Sequence, residues 1–260
     1  MNSLGERMKR YELTSKSYLL RRAPVIVRID GKSFHTLTKN FKRPFDKVFM
    51  TAMDLTMQDL CKKVQGCVFG YTQSDEITLF LCDYKELNTD AYFDYNVQKI
   101  TSVIASMATC SFIIHLTQLA AIEFMPNLFG ENKPASITEE QFKNYTEKAI
   151  ANVAFDARCF NIPKDDVCNN FIWRQNDCYR NAILSISYAT FPSKSYVYKK
   201  SVKNLITELY KFGVDVDKDF SRRELYGCAC YKDANKRWHL DYNIPTFKHN
   251  RAYIEKHEYY

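Results

Sequence analysis

Two periodicities divide this chain. Val25-Ile26-Val27-Arg28-Ile29 is β-branched and nearly uncharged, and predicts a buried strand over Pro24 to Asp30. Val68-Phe69-Gly70-Tyr71-Thr72 and Ile77-Thr78-Leu79-Phe80-Leu81 predict two more strands. Only Gln73-Ser74-Asp75-Glu76 separates them, so they form a hairpin with an acidic tip. Between the first strand and the hairpin lies a polar connector, Lys32 to Arg43. Then Val48, Phe49, Ala52, Met53, Leu55, Thr56 and Leu60 recur at helical spacing and predict a helix over Phe45 to Lys63. A longer helix is expected over Asp90 to Met125, with Ile100, Val103, Ile104, Met107 and Ala108 on its stripe. Ile100 to Ile122 holds no Asp, Glu, Lys or Arg. Thr101, Ser102, Ser106, Thr109, Ser111, His115, Thr117 and Gln118 nevertheless make it too polar for a membrane span, so a long core helix is the reading.

Ser3 to Lys16 reads as a charged, solvated opening helix. Past the long helix, Ser136-Ile137-Thr138-Glu139-Glu140-Gln141 predicts a helix start, and Ala151 to Phe160 a further strand that completes the sheet. Lys164 to Ile186 looks helical through Val167, Phe171, Trp173, Cys178, Ala182 and Leu184. A helix over Val202 to Phe212 ends at Gly213, and Cys228–Tyr231 with Trp238–Asn243 form a hairpin around Asp233 to Lys236. Strand, helix, hairpin, helix is the opening of a ferredoxin-like βαββαβ unit, so an α+β fold is expected. Residues 1–160 would be the catalytic unit, and 161–260 a helical, basic region packed on it.

That topology gives two distant acids a reason to meet. The first strand lies antiparallel to the third, so the exit of one sits beside the entry of the other, on neighbours about 5 Å apart. Asp30 closes the first strand and Asp75 opens the third, with Glu76 next to it. Carboxylates brought together this way suit a two-metal phosphoryl-transfer site, because Mg²⁺ wants hard oxygen ligands and keeps room for phosphates. Gly31 and Ser74 are small neighbours that let backbone approach a ligand, and the Gly31 carbonyl is a further candidate donor. Lys32-Ser33-Phe34-His35 follows at once. Its backbone amides and Lys32 can hold phosphates, Phe34 can stack a base, and His35 can contact substrate. Phe41-Lys42-Arg43-Pro44-Phe45-Asp46 either holds triphosphate or base, or caps the helix starting near Asp46. Trp173-Arg174-Gln175-Asn176-Asp177-Cys178 reads as a helix face packed on the sheet.

Composition narrows the classes. Hydrophobic residues make up 46% of 260, which excludes a disordered chain. A net charge of +7 favours a polyanionic partner such as nucleic acid. The nine cysteines form no C-x-x-C pair, and several sit in apolar runs, so reduced buried thiols fit better than zinc. Cys228 and Cys230 fall on one side of one strand. No nucleophile triad, P-loop or G-x-G-x-x-G fingerprint is legible. The polar N-terminus carries neither a signal nor a transit pattern, so a cytoplasmic location is expected.

The residues resemble the tRNA-histidine guanylyltransferase family of 3′-to-5′ ("reverse") polymerases. The match covers most of Ser3 to Ile183: Arg28-Ile29-Asp30-Gly31-Lys32-Ser33-Phe34-His35, Arg43-Pro44 with Asp46, Gln73-Ser74-Asp75-Glu76, Phe155-Asp156-Ala157-Arg158, and Trp173 to Cys178. The C-terminal third matches loosely. The resemblance implies a polymerase-like palm. It implies two Mg²⁺ ions on Asp30, the Gly31 carbonyl and Asp75, with Glu76 close by. It also implies nucleotide contacts from Asp30, Gly31, Lys32, Ser33, Phe34, His35, Arg43, Asp46, Ser74 and Asp75. ATP or GTP would activate a 5′-monophosphate end, and the 3′-hydroxyl of the incoming nucleotide would then attack it. Arg28, Arg158, Arg174, Asn181, Lys194 and Lys199 are candidates for RNA or triphosphate, tRNA is the implied partner, and a homotetramer (a dimer of dimers) is the implied assembly.

One departure bears on substrate. Where dedicated tRNA-histidine enzymes carry His-Ile-Asn-Asn-Leu-Tyr-Asn after Asp-Cys, this chain has Tyr179-Arg180-Asn181-Ala182-Ile183-Leu184-Ser185, keeping only Asn181 in register. That resembles the "-like protein" branch, which repairs 5′-truncated tRNAs on a template. Rival readings are dedicated guanylylation of tRNA-histidine, a palm-type nucleotide cyclase (against which the lack of a G-G-D-E-F-like hairpin argues), and a non-catalytic RNA-binding protein.

Overall fold

The computed structural model describes residues 3–131 and 134–258. In chain order the elements are α1 (Leu4–Leu13), β1 (Val25–Gly31), α2 (Phe34–Leu37), α3 (Lys47–Lys63), β2 (Cys67–Gln73), β3 (Glu76–Leu81), α4 (Val97–Phe124) and α5 (Glu139–Asn152). There follow β4 (Phe155–Asn161), α6 (Val167–Thr190), α7 (Val202–Lys211), α8 (Val216–Asp219), α9 (Arg222–Tyr226), β5 (Cys228–Lys232), β6 (Trp238–Asp241) and α10 (Ala252–Glu255). The fold is mixed helix and antiparallel sheet. Six strands stand in the order β4-β1-β3-β2-β5-β6, and every pairing is antiparallel.

Alternation along β1 sends Val25, Val27 and Ile29 to one face and Ile26 to the other, and both faces are covered. On the first face lie α3 and α4, with Met53, Met57, Leu60, Ile104, Phe112 and Leu116 packed against the sheet. Cys228 and Cys230 share this face, as same-side positions of one strand should. On the second face Phe69, Tyr71 and Phe80 meet Phe171 of α6, Phe247 and Ile254. A third apolar cluster joins α6 to α7 through Ile183, Ile186, Leu205 and Leu209. All nine cysteines are free thiols.

Four boundaries differ from the periodic reading, each for a local reason. The connector after β1 contains a helical turn, α2, because Phe34 and Leu37 turn into the core. The long helix begins at Val97, not Asp90. Phe93, Asp94 and Tyr95 hold positive φ, and the Asn96 side chain accepts from the Lys99 amide as N-cap. Ala151 and Asn152 close α5, so β4 starts only at Phe155. α6 continues past Ile186 to Thr190, where Ser187 and Thr190 hydroxyls bond carbonyls four residues back.

α4 is long and apolar enough to cross a bilayer by composition, but its Ile100, Ile104, Ala108, Phe112, Leu116 and Ala120 stripe is fully buried against α3 and the sheet. α1 buries nothing and is held locally by a Ser3–Glu6 capping box.

Gly227 joins α9 to β5 at φ +88°, and a Cβ there would lie 2.6 Å from the Thr72 carbonyl oxygen of β2. Gly227→Ala therefore combines a disfavoured backbone conformation with a backbone clash. We expect it to lower stability by about 2 kcal/mol or more in urea unfolding; an unchanged midpoint would contradict this placement.

Candidate active site

Three neighbouring strands end in acids at one edge of the sheet. Asp30 of β1 is register partner to Glu76 of β3 and to Asp156 of β4. The hairpin tip folds back on the same edge, with the Gly31 amide donating to the Asp75 carbonyl oxygen at 3.0 Å. Ser74 makes that tip possible by taking φ +50°. The sequence-distant pair Asp30 and Asp75 thus shares one corner.

The electrostatics of the corner follow from its burial and its signs. Burial pushes the Asp75 carboxyl above the ordinary 3.8, and the charge of Asp30 pushes it further, against its own backbone amide, the Ser74 hydroxyl and His35. Burial likewise raises Asp30, and Asp156 adds to this, while Arg28, Arg158 and Arg174 pull back. Glu76 is raised by burial and lowered chiefly by Arg174, whose Nη1 donates to Glu76 Oε2 at 2.7 Å. The same guanidinium reaches Asp177 at 3.1 Å. Glu76 is therefore engaged by an arginine, whereas Asp30 and Asp75 repel each other. Two oxygen donors penalised by burial and by mutual charge are what a hard divalent cation relieves. Among the described residues no three His, Cys, Asp or Glu side chains converge as a complete metal site. Asp30 and Asp75 would hold such a cation with non-side-chain oxygens completing its shell.

A cavity of about 310 Å³ opens beside Asp75. Its floor runs from His35 and Thr38 through Phe41 to Asp46, one side is the hairpin tip Gln73-Ser74-Asp75, and its roof is Asn181, Ala182 and Ser185 of α6 with Arg223 and Glu224 of α9. The size and the mix of aromatic and polar lining suit one small polar ligand. Of the nucleotide- and RNA-contact candidates from sequence, Phe34, His35, Arg43, Asp46, Ser74, Asp75 and Asn181 gather here.

Others are placed differently. Phe34 is only 2% exposed and packs on Phe49, Phe112 and Phe155, so its ring is held in the core even where it borders the cavity. Gly31 serves that packing: a Cβ would lie 2.5 Å from the Phe34 ring, so its missing side chain makes room for Phe34 and not for a ligand. The amides of Gly31 and Lys32 already donate to Asp75 and Ala154 carbonyls. Asp46 is the N-cap of α3, accepting from the Phe49 and Lys42 amides and from Tyr145 Oη, so the capping alternative describes its carboxylate. Arg174 is buried in its ion pairs and holds Glu76 and Asp177 in position. Arg28 and Arg158 are cross-strand partners on the Asp30 side. Lys32 and Lys199 are exposed, Lys199 lying over the Tyr198 ring, and the Lys194 side chain lies outside the described residues.

Sequence reasoning did not anticipate Arg223 and Glu224 in the cavity wall. The legible signal was the Ser221-x-x-Glu224 capping box, which starts α9 and fixes the turn that presents them.

Comparison with known proteins gives the same direction. Residues 5–163 match the family model described as tRNAHis guanylyltransferase. Uncharacterized protein R259 of Acanthamoeba polyphaga mimivirus is 30% identical over 79% of this chain and 70% of its own length. A probable tRNA(His) guanylyltransferase of Dictyostelium discoideum is 27% identical over 72% of this chain, which spans 62% of that protein. Among solved structures, a bacterial tRNA(His) guanylyltransferase (Thg1)-like protein in complex with ATP superimposes with a TM-score of 0.81 at 34% identity, over 99% of both chains.

Proposed function

From the premise that this chain belongs to the tRNAHis guanylyltransferase family, whose members are nucleotidyltransferases acting on tRNA, we propose that it adds nucleotides to the 5′ end of tRNA in the 3′-to-5′ direction and repairs 5′-truncated ends on a template. The observation that carries this reading is the meeting of Asp30 and Asp75 at one corner of the sheet, with a nucleotide-sized cavity opening on its Asp75 side. The strand order β4-β1-β3-β2, with helices after β1 and after β3, supports a ferredoxin-like palm as the frame. Residues 1–160 would form that palm, and 161–260 would supply the cavity roof and two further strands.

In this reading the cavity takes ATP or GTP, and its α-phosphate accepts the RNA 5′-monophosphate oxygen as pyrophosphate leaves. The 3′-hydroxyl of the incoming nucleotide then attacks the former 5′-phosphate, AMP or GMP leaves, and the strand is longer by one nucleotide at its 5′ end. Asp30, Asp75 and the Gly31 carbonyl would hold Mg²⁺, which when bound lowers the pKa of the attacking hydroxyl and neutralises phosphate charge. His35, Ser74 and Arg43 line the cavity and would orient phosphates and ribose, and the exposed Lys32 and Ser33 that precede them would add a charge and a hydroxyl. Glu76, fixed by Arg174, keeps the end of β3 in place behind the reacting groups. A cytoplasmic homotetramer belongs to the same reading; Leu4 and Tyr11 of α1, exposed at 67% each, would be covered in such an assembly.

Template direction is supported by the α6 segment that departs from the dedicated enzymes, because Ala182 and Ser185, each standing where those enzymes carry Asn, line the cavity. Extension of a tRNA lacking its first 5′ nucleotide, with each triphosphate in turn and each base opposite, tests it. The expected product carries the complement of the opposing base. Guanosine added whatever the opposing base would replace repair by dedicated guanylylation.

A further inference from the structure

The cavity lies on the Asp75 side of the acid corner, and Asp30 is not among the residues lining it. Asp30 stands instead beside Asp156, its register partner on β4. Arg28 lies two residues back on β1, on the same side as Asp30, and its cross-strand partner is Arg158. Phe160, two residues along β4, continues this row and is 36% exposed. The row is closed by Trp173 of α6, which is 54% exposed. The Arg28 guanidinium stands 5.9 Å from its ring centroid. The Arg174 guanidinium stacks on the same ring at 3.9 Å. Trp173 thus has cationic neighbours and an accessible ring.

The two sides of the acid corner differ in kind. One is a concave cavity of single-ligand size. The other is an open strip of two aromatic rings and two arginines, where Asp156 lies 3.6 Å from Arg158 and Glu76 and Asp177 are taken up by Arg174. An enclosed cavity suits a free mononucleotide. An open basic-aromatic strip suits a strand, whose bases stack on exposed rings and whose phosphates meet guanidinium groups. We propose that the Trp173–Arg28–Arg158–Phe160 strip seats the 5′-terminal nucleotides of the RNA substrate, with a base stacked on Trp173 and backbone phosphates on the two arginines. The inference rests on the nucleotidyltransferase reading and adds to it which face takes the strand. It also accounts for the position of Asp30 and Asp75, which then lie between the two reactants.

The chain has two tryptophans, so Trp238→Phe leaves Trp173 as the sole indole reporter. Titration with a 5′-monophosphorylated tRNA lacking its first nucleotide should quench that emission, and ATP or GTP alone should not. Trp173→Ala should weaken RNA binding about tenfold and leave ATP binding unchanged, whereas Trp173→Phe, which keeps a flat ring, should stay within about threefold of the parent. Arg158→Gln should lower the salt dependence of RNA binding by about one phosphate contact. Unchanged emission on RNA binding, or full RNA affinity in Trp173→Ala, overturns the assignment. Equal quenching by free triphosphates also overturns it, by giving the strip to the incoming nucleotide. Nucleotide addition measured on the same samples separates the two readings. Addition without Trp173 quenching sinks the strip alone, and quenching without addition sinks the enzymatic reading alone.

Discussion

Asp75→Asn, and separately Asp30→Asn, should lower nucleotide addition by on the order of a thousandfold while leaving RNA binding close to wild type. Neutralising either carboxylate removes a charged oxygen from the pair that faces developing phosphoryl charge, and a lost metal ligand costs more than the ten- to hundredfold typical of groups that only support one. The same substitutions should act oppositely on stability. In metal-free protein both carboxyls are raised above 3.8 by burial and by neighbouring negative charge. A carboxyl whose folded pKa is raised binds its proton more tightly in the native state, so the stability it contributes is present at low pH and is lost as pH rises from 3.8 through the raised value. At neutral pH the ionised pair is therefore a strain on the fold, and Asp75→Asn relieves it. We expect the metal-free variant to melt about 2 °C above wild type at pH 7. Added Mg²⁺ should stabilise wild type at pH 7, do so less at pH 5 where protons compete, and leave Asp75→Asn unmoved. Thermal melts at two pH values with and without Mg²⁺ read all of this without an activity assay. A variant that turns over at even a tenth of the wild-type rate would remove Asp75 from the chemistry.

How far the sequence carries depends on the range of the interaction. β1 and the β2–β3 hairpin are legible because β-branched runs bounded by acids and small residues leave few alternatives. The meeting of Asp30 with Asp75 follows from antiparallel topology, once three strands and one helix are placed. Local end-effects are less legible. The α5–β4 boundary falls between Asn152 and Phe155 because helix propagation through Ala151 wins over the strand-like alternation that begins beside it. Least legible are side chains whose roles depend on partners far along the chain. Phe34 reads as a loop aromatic beside a phosphate-binding stretch, and only the positions of Phe112 and Phe155 show that it belongs to the core. Glu76 reads as a third free acid until Arg174 is found beside it. Asp46 reads equally as ligand or cap until Tyr145 takes one of its oxygens. In all three, a polar or aromatic residue near the site is engaged by a protein partner that lies too far along the chain for local sequence to show.

Arg223 is the other group that only tertiary structure reveals, and it carries the largest stability effect expected outside the acid corner. Its Nε donates to both carboxylate oxygens of Asp54 at 2.9 and 3.0 Å, and its Nη2 to Oδ1 at 2.6 Å. Both side chains are nearly inaccessible. Burial opposes the charge on the guanidinium, but the Asp54 charge and hydrogen bonds outweigh it and hold Arg223 protonated. The pair ties α3 to the five-residue α9, whose other anchors, buried Leu225 and the Tyr226 carbonyl bonded by Tyr71 Oη, face α6 and β2, and which presents Arg223 and Glu224 to the cavity. Asp54→Ala leaves a buried cation without its partner, a change that costs about 3–5 kcal/mol. For a chain of this size that corresponds to a melting point lower by about 10 °C. Replacing both members, Asp54→Leu with Arg223→Met, removes the desolvated charges together and should recover most of the loss, because well-packed apolar pairs often match buried ion pairs in stability. The double variant should nonetheless bind ATP more weakly than wild type, since the cavity wall has lost its guanidinium. Stability recovered while nucleotide affinity stays reduced would separate the two roles of Arg223. Full ATP affinity in the stable double variant would confine Arg223 to holding α9, and a melting point within about 2 °C of wild type for Asp54→Ala would show that the ion pair does not anchor it.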